Sequence, residues 1–265
     1  MCSIRKLKLR LTVGLDCCAW EGVHCHNITG RVTKLHLQPP PERFKPLAGE
    51  CNLSLLLGLE FLQFLDLSFN SFHAISIHDN FTASSLQYLD ISYQSHTIHI
   101  DNLQWLSRLS SIKYLNLTLI DLHKETKWLQ LLAMLPSLSE LRLSSCKLNN
   151  ILPSLNYVNL TSLKTLDLSD NNFHNELPKW LLNFSDISHL DLSSDQLKGS
   201  ILEGIGQLEH LQFLDLSHNM FWGVIPSSAL GNLSSLVTLS IGSNSFSGVI
   251  SETTFSKLSN LEVWT

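Results

Sequence analysis

The nine residues from Leu62 to Asn70, LQFLDLSFN, return almost unchanged as LQFLDLSHN from Leu211 to Asn219. Weaker copies of the pattern LxxLxL fill the interval, beginning at Leu62, Leu86, Ile112, Leu138, Leu163, Ile187, Leu211, Leu236 and Leu261, with steps of 24, 26, 26, 25, 24, 24, 25 and 25 residues. A unit this short cannot bury its apolar side alone. Stacking on identical neighbours closes a continuous core, so the period restricts the chain to a solenoid.

A period in this range with L-x-x-L-x-L-x-x-N/C-x-L is the signature of leucine-rich repeats. The expected fold is an α/β-type solenoid: a right-handed horseshoe with a parallel β-sheet on the concave face and an irregular, partly 3-10 convex side. In each copy the leucines point inward. In the seventh, Leu211, Leu214 and Leu216 are core, while Phe213, Asp215, Ser217 and His218 point outward by strand alternation and its continuation. The ninth position holds Asn70, Gln94, Asn171, Asp195, Asn219 and Asn244. A polar side chain there can satisfy buried backbone groups of adjacent turns. Ile120 in the third copy cannot do so and Cys146 in the fourth does so weakly, which predicts local irregularity between them.

A net charge of −5 and a pI near 6.2 provide no general attraction for nucleic acid or an anionic membrane. No run of about 18 apolar residues occurs, so nothing reads as a membrane span. The basic cluster IRKLKLR (Ile4 to Arg10) continues into LTVGL, too short for a signal-peptide core.

Candidate chemistry is sparse. The fifth position of the repeat carries Asp66, Asp90, Asp167, Asp191 and Asp215. Strands stack about 4.8 Å apart, near the carboxylate separation of about 5 Å in retaining glycosidases. A catalytic pair, however, needs two different environments, and here each LDLS-type copy repeats the same Asp; the expectation is a solvated acidic ladder. His96 and His99 could bring two rings together, but no carboxylate or thiol stands at ligand spacing. Cys17, Cys18 and Cys25 match no common zinc spacing. No phosphate loop or nucleophile elbow is present. The reading is no catalysis, no cofactor and no metal.

Contact area is what the concave face offers. Phe64, Tyr88 and Tyr114 fall in one column and Phe69 and Tyr93 in another. Exposed aromatics aligned on successive strands have no packing reason to be there, and such residues dominate interface energetics. A second patch comprises His189, Asp191, Phe213, Asp215 and His218, whose histidines would make binding pH-dependent in a mildly acidic space.

Beyond the repeat itself, LPKW at Leu177, KGSI at Lys198, WGVIP at Trp222 and SGVI at Ser247 resemble the second tag of the plant-specific repeat class, LxxLxLxxNxLxGxIPxx. The match is good from Leu163 onward and poor between Tyr93 and Leu152. DCCAWEGVHC (Asp16 to Cys25) resembles the N-terminal cap of plant leucine-rich-repeat proteins, which implies a Cys18–Cys25 disulfide under Trp20 and Val23 and a possible Cys2–Cys17 pair. Seven N-x-S/T sites, at Asn27, Asn52, Asn80, Asn116, Asn159, Asn183 and Asn232, agree with an oxidising, glycosylating compartment; Asn116 is expected on the concave sheet, where a glycan would block its neighbours.

The segments Gly49 to Phe72, Asn102 to Leu117 and Gly204 to Met220 resemble plant receptor-like proteins of the fungal-xylanase-sensing type. This implies a non-enzymatic ligand-recognition ectodomain on the extracellular side of the plasma membrane, in defence or elicitor perception. Its ligand would be a protein or peptide, such as a microbial elicitor. A kinase-bearing co-receptor is expected for the full-length protein only, and membrane attachment only through a C-terminal segment outside this chain. The expected organisation is an atypical leader over 1–15, a partial cap and first irregular repeat over 16–58, and repeats over 59–265, eight complete and the ninth stopping inside its first strand at LEVWT. The alternatives are a secreted inhibitor of microbial cell-wall-degrading enzymes and a non-functional truncated receptor fragment.

Overall fold

The computed structural model describes residues 16–43, 45–78, 81, 85–149, 162–248 and 256–265. The leader expectation, Cys2 and the sites at Asn80 and Asn159 lie outside them. An 11-stranded sheet runs the length of the described chain. It opens with an antiparallel hairpin, Val23–Cys25 with Val32–His36, and continues in parallel through Phe64–Asp66, Tyr88–Asp90, Tyr114–Asn116, Glu140–Arg142 and Thr165–Asp167. His189–Asp191, Phe213–Asp215, Thr238–Ser240 and Val263–Trp264 complete it.

The repeat leucines build the core as expected. Leu65, Leu89, Leu115, Leu141, Leu166, Leu190, Leu214 and Leu239 are successive Cα partners across the strands, and none is more than 2% exposed. Burying each leucine side chain stabilises by about 1.5–3 kcal/mol, so the column is a large, evenly distributed driving force. The convex side is made of short helical pieces such as the 3-10 turns Gln104–Arg108, Lys179–Asn183 and Glu203–Gln207 and the α-helix Trp128–Leu132. Each turns its apolar residues inward, among them Trp105, Trp128, Trp180 and Ile205.

The ninth-position ladder closes the turns. Asn171 donates through Nδ2 to the carbonyls of Leu143, Leu168 and Ser169 at 2.7–3.1 Å, and accepts at Oδ1 from the N–H of Leu148 at 2.9 Å. Gln94, Asn70, Asn219 and Asn244 repeat the donation. Cys146 substitutes for part of it, its thiol donating to the Leu117 carbonyl at 3.2 Å.

The residue before each ladder position is left-handed: Phe69, Tyr93, Leu119, Ser145, Asp170, Ser194, His218 and Ser243 have φ of 53–65°. Among the described residues, Lys147 (φ 56°) is the only non-glycine with positive φ outside that series. The main-sheet register passes unbroken from Tyr114 to Glu140, so the irregularity expected between Ile120 and Cys146 is not seen in the sheet, and the extra left-handed residue falls just after Cys146, outside that interval.

The cap is a 3-10 turn, Cys17–Ala19, followed by the hairpin. Cys18 and Cys25 are disulfide-bonded, and Trp20 and Val23 are buried at 6% and 5% exposure. Gly22 is required: its φ is +76°, and a Cβ there would lie 2.1 Å from the carbonyl oxygen of His36. Cys17 forms no bridge to a described cysteine, and Cys51 and Cys146 are buried free thiols.

Candidate functional site

Successive strands at sheet spacing bring like side chains face to face. Phe64 and Tyr88 stack with centroids 4.1 Å apart and planes 13° from parallel; Tyr88 and Tyr114 do so at 4.1 Å and 5°. Phe69 and Tyr93, lifted by their left-handed backbones, form a second stack at 4.7 Å and 2°. Tyr88 and Tyr114 of one column and Phe69 and Tyr93 of the other wall a concave groove of about 290 Å³, lined also by Asp66, Asp90, Asn116, Arg142 and Asp167 from successive strands.

The floor differs from the solvated ladder expected of it. Asp66 and Asp90 are only 4% and 6% exposed. Each carboxylate accepts at Oδ1 from both the backbone N–H and the hydroxyl of the serine two residues on, at 2.7–2.9 Å for Asp66; the same lock recurs at Asp90, Asp167, Asp191 and Asp215. The Asp-x-Ser spacing was the available signal. At Asp66, Oδ2 lies 3.1 Å from His36 Nδ1; at Asp90, it accepts from Asn116 Nδ2 at 3.0 Å and faces Tyr114 Oη at 3.4 Å. Burial raises the Asp90 carboxyl above the usual range, opposed by its serine hydrogen bonds. It likewise raises the phenols of Tyr88 and Tyr114.

The second patch is assembled as well. His189 stacks on Phe213 at 4.0 Å and 9°, Asp191 pairs with Asp215 in register, and His218 is exposed on its left-handed turn. Burial, then the nearby Arg142, pushes His189 below the ordinary histidine value, so its charging moves to more acidic pH than the unperturbed ring assumed from sequence. His36, Arg142 and Asn116 border the first patch unannounced by the repeat pattern, because all three occupy consensus positions with non-consensus side chains.

Two further residue-level readings change. Asn116 is 6% exposed with its Nδ2 committed to Asp90, which leaves no room for a glycan, whereas Asn27, Asn183 and Asn232 are exposed and Asn52 is half-buried. His99, for which no carboxylate was expected at ligand spacing, has one in three dimensions: Asp121, from the next repeat, lies 3.1 Å from its Nδ1. His96 is not part of that cluster.

Leucine-rich-repeat family models match residues 161–221 and 210–233. Receptor-like protein EIX1 of Solanum lycopersicum is 33% identical, with 77% of this chain and 23% of its own length covered. The chain is a leucine-rich-repeat protein similar to the receptor-like proteins of plants. Receptor-like protein EIX2 of the same species is 35% identical across 80% of this chain and 24% of its own, and a Cf-9 homolog is 30% identical across 77% and 21%. The chain thus spans about a quarter of the length of these receptor-like relatives. Among solved structures, the ectodomain of the Arabidopsis thaliana receptor kinase GASSHO1/SCHENGEN3, in complex with CASPARIAN STRIP INTEGRITY FACTOR 2, superposes with a TM-score of 0.75 at 30% identity, covering 94% of this chain and 28% of that one. The HAESA ectodomain shares the fold at TM-score 0.72 and 24% identity, covering 98% and 47%.

Proposed function

We propose that this receptor-like chain is the ligand-recognising part of a plant cell-surface protein, and that it takes a protein or peptide, such as a microbial elicitor, into the concave groove in defence signalling outside the plasma membrane. The observation that carries the reading is the pair of aromatic columns over a buried acidic floor in the first three copies. Because Tyr88 spends both faces on Phe64 and Tyr114, and Lys34 sits 4.3 Å over the Phe64 ring, a ligand meets mainly ring edges and phenol hydroxyls. That geometry suits a polypeptide better than a sugar ring, which stacks on a free aromatic face. The floor carboxylates add attraction for basic side chains. Two named features of relatives support the class: the GASSHO1/SCHENGEN3 ectodomain is seen in complex with CASPARIAN STRIP INTEGRITY FACTOR 2, and the receptor-like relatives include a Cf-9 homolog. A kinase-bearing co-receptor belongs to this proposal for the full-length protein.

The test uses a fungal xylanase as probe in surface plasmon resonance. Replacing Tyr88 and Tyr114 with alanine should weaken binding by at least about tenfold each, as central aromatic anchors do, with the circular dichroism unchanged. Undiminished binding by the double variant removes the groove as the site, and absence of binding by the wild type removes xylanase as the elicitor.

A further inference from the structure

Outside the concave face, three metal-ligating side chains from two adjacent repeats converge on one point. His99 ends the short strand Ile98–His99, which pairs in parallel with Ile120–Asp121, so that His99 and Asp121 are direct Cα partners. His123 follows two residues later, its N–H donating to Asp121 Oδ1 at 3.1 Å. The carboxylate of Asp121 is buried at 3% side-chain exposure and is gripped from both ends: His123 Nδ1 at 2.7 Å from Oδ1, His99 Nδ1 at 3.1 Å from Oδ2. The two rings stand edge to face with centroids 6.1 Å apart. The donor atoms all lie within 4.8 Å of one another.

We infer that His99, Asp121 and His123 form a site for a divalent transition ion of the zinc type on the flank of the solenoid. Two imidazoles and one carboxylate are the donor set that borderline ions prefer, whereas calcium and magnesium require mostly oxygen. Ligand bonds of about 2.0–2.1 Å in a tetrahedral site place donor atoms about 3.3 Å apart. The pairs at 2.7 and 3.1 Å reach that separation by small rotations of rings that are 47% and 56% exposed, while the carboxylate is held by the sheet. A fourth position stays open to water or to a partner side chain, as in three-ligand zinc sites.

One cation already holds the place. Lys147 Nζ sits 2.7 Å from Asp121 Oδ2, delivered there by the extra left-handed residue after Cys146. Its side chain is 56% exposed, so a strongly hydrated ammonium on a flexible stem returns to water readily when a dication replaces it. Lys124 is occupied with Asp101 at 2.9 Å and does not contact Asp121. The ion would tie the second and third repeats together on the flank, adding a cross-link to the Lys124–Asp101 and Asn116–Asp90 contacts that already join them.

The experiment is calorimetric titration of the chelator-treated protein with zinc chloride, with imidazole resonances followed by NMR. One zinc per chain is expected, with shifts at His99 and His123 and none at the remaining histidines. His99→Ala and His123→Ala, both substitutions of exposed rings that leave the buried carboxylate in place, should each weaken binding at least about 10–100-fold, the loss typical even of outer-shell partners. Lys147→Gln should bind zinc as tightly or more tightly, because a competitor is gone. An excess of magnesium should not displace the zinc. Undiminished zinc binding in the His99→Ala/His123→Ala double variant, shifts centred on other histidines, displacement by magnesium, or weaker binding in Lys147→Gln would each overturn the inference.

Discussion

Asp195 occupies a ladder position built for an amide. Its Oδ1 takes the acceptor role, receiving the N–H of Phe173 at 3.3 Å, but Oδ2 is buried without a hydrogen-bond partner at the point where Asn171 and Asn219 present an NH2 to three carbonyls each. Burial pushes its carboxyl from 3.8 up to about 8. The sign follows directly. A raised carboxyl binds its proton in the folded state where the unfolded chain has lost it, so its contribution is intact below pH 4 and declines as pH rises to about 8. At 1.36 kcal/mol per pKa unit, roughly three units separate the unfolded value from pH 7, a loss of about 4 kcal/mol by neutral pH. Asp195→Asn supplies both ladder roles without a titrating group. Urea unfolding of wild type and variant at pH 4.5 and pH 8 should give a variant advantage of several kcal/mol at pH 8 and about 1 kcal/mol or less at pH 4.5, read from midpoints with unchanged m. An advantage equal at both pH values would refute the reasoning, because it would owe nothing to a carboxylate.

Two other measurements probe burial. Cys51 and Cys146 are fully buried, and burial raises both thiols, Cys51 to about 12; iodoacetamide at pH 8 should leave them unmodified in native protein and alkylate them after unfolding, and native labelling at the rate of half-exposed Cys17 would contradict the packing. In protein secreted from plant cells, peptide mass spectrometry should find glycans at the exposed Asn27, Asn183 and Asn232 and none at Asn116, whose amide is bonded beneath Tyr114; a glycan at Asn116 would mean that the groove floor is not formed as described.

Periodicity made most of the fold legible. Once the leucines fixed the register, the columns Phe64/Tyr88/Tyr114 and Phe69/Tyr93 followed from counting, because side chains at equal repeat positions must stack at strand spacing. What counting missed depends on departures from the repeat. Lys147 reaches Asp121 from an extra left-handed position just after Cys146, and His99 meets Asp121 through a separate two-stranded sheet in the region lacking the Gly-x-Ile-Pro tag. Neither can be read from positions within a single copy. The ladder was legible in kind, yet its weak members behaved unequally: Cys146 still donates to Leu117, while Asp195 carries a full chemical mismatch.

The same Asp-x-Ser unit gives two different surfaces along one sheet, and its neighbours decide which. Asp66 and Asp90 are buried, while Asp167, Asp191 and Asp215 are half-buried, although each is locked to its own serine. In the first two copies position three and position eight are both aromatic, so a wall stands on each side of the carboxylate. In copies five to seven position eight holds Asp170, Ser194 and His218, and position three is aromatic only at His189 and Phe213, copy five having Thr165 there. A carboxylate between two walls loses water and takes its polar contacts from Asn116, Tyr114 and His36 instead. Preorganised donors and acceptors in a partly dry groove discriminate between ligands more sharply than the same groups in open solvent, because each unmatched polar atom then costs about 1–3 kcal/mol. On the proposed function, the walled copies would make the more selective half of the concave face, and the His189–Phe213 patch would supply a supporting contact with the same polypeptide.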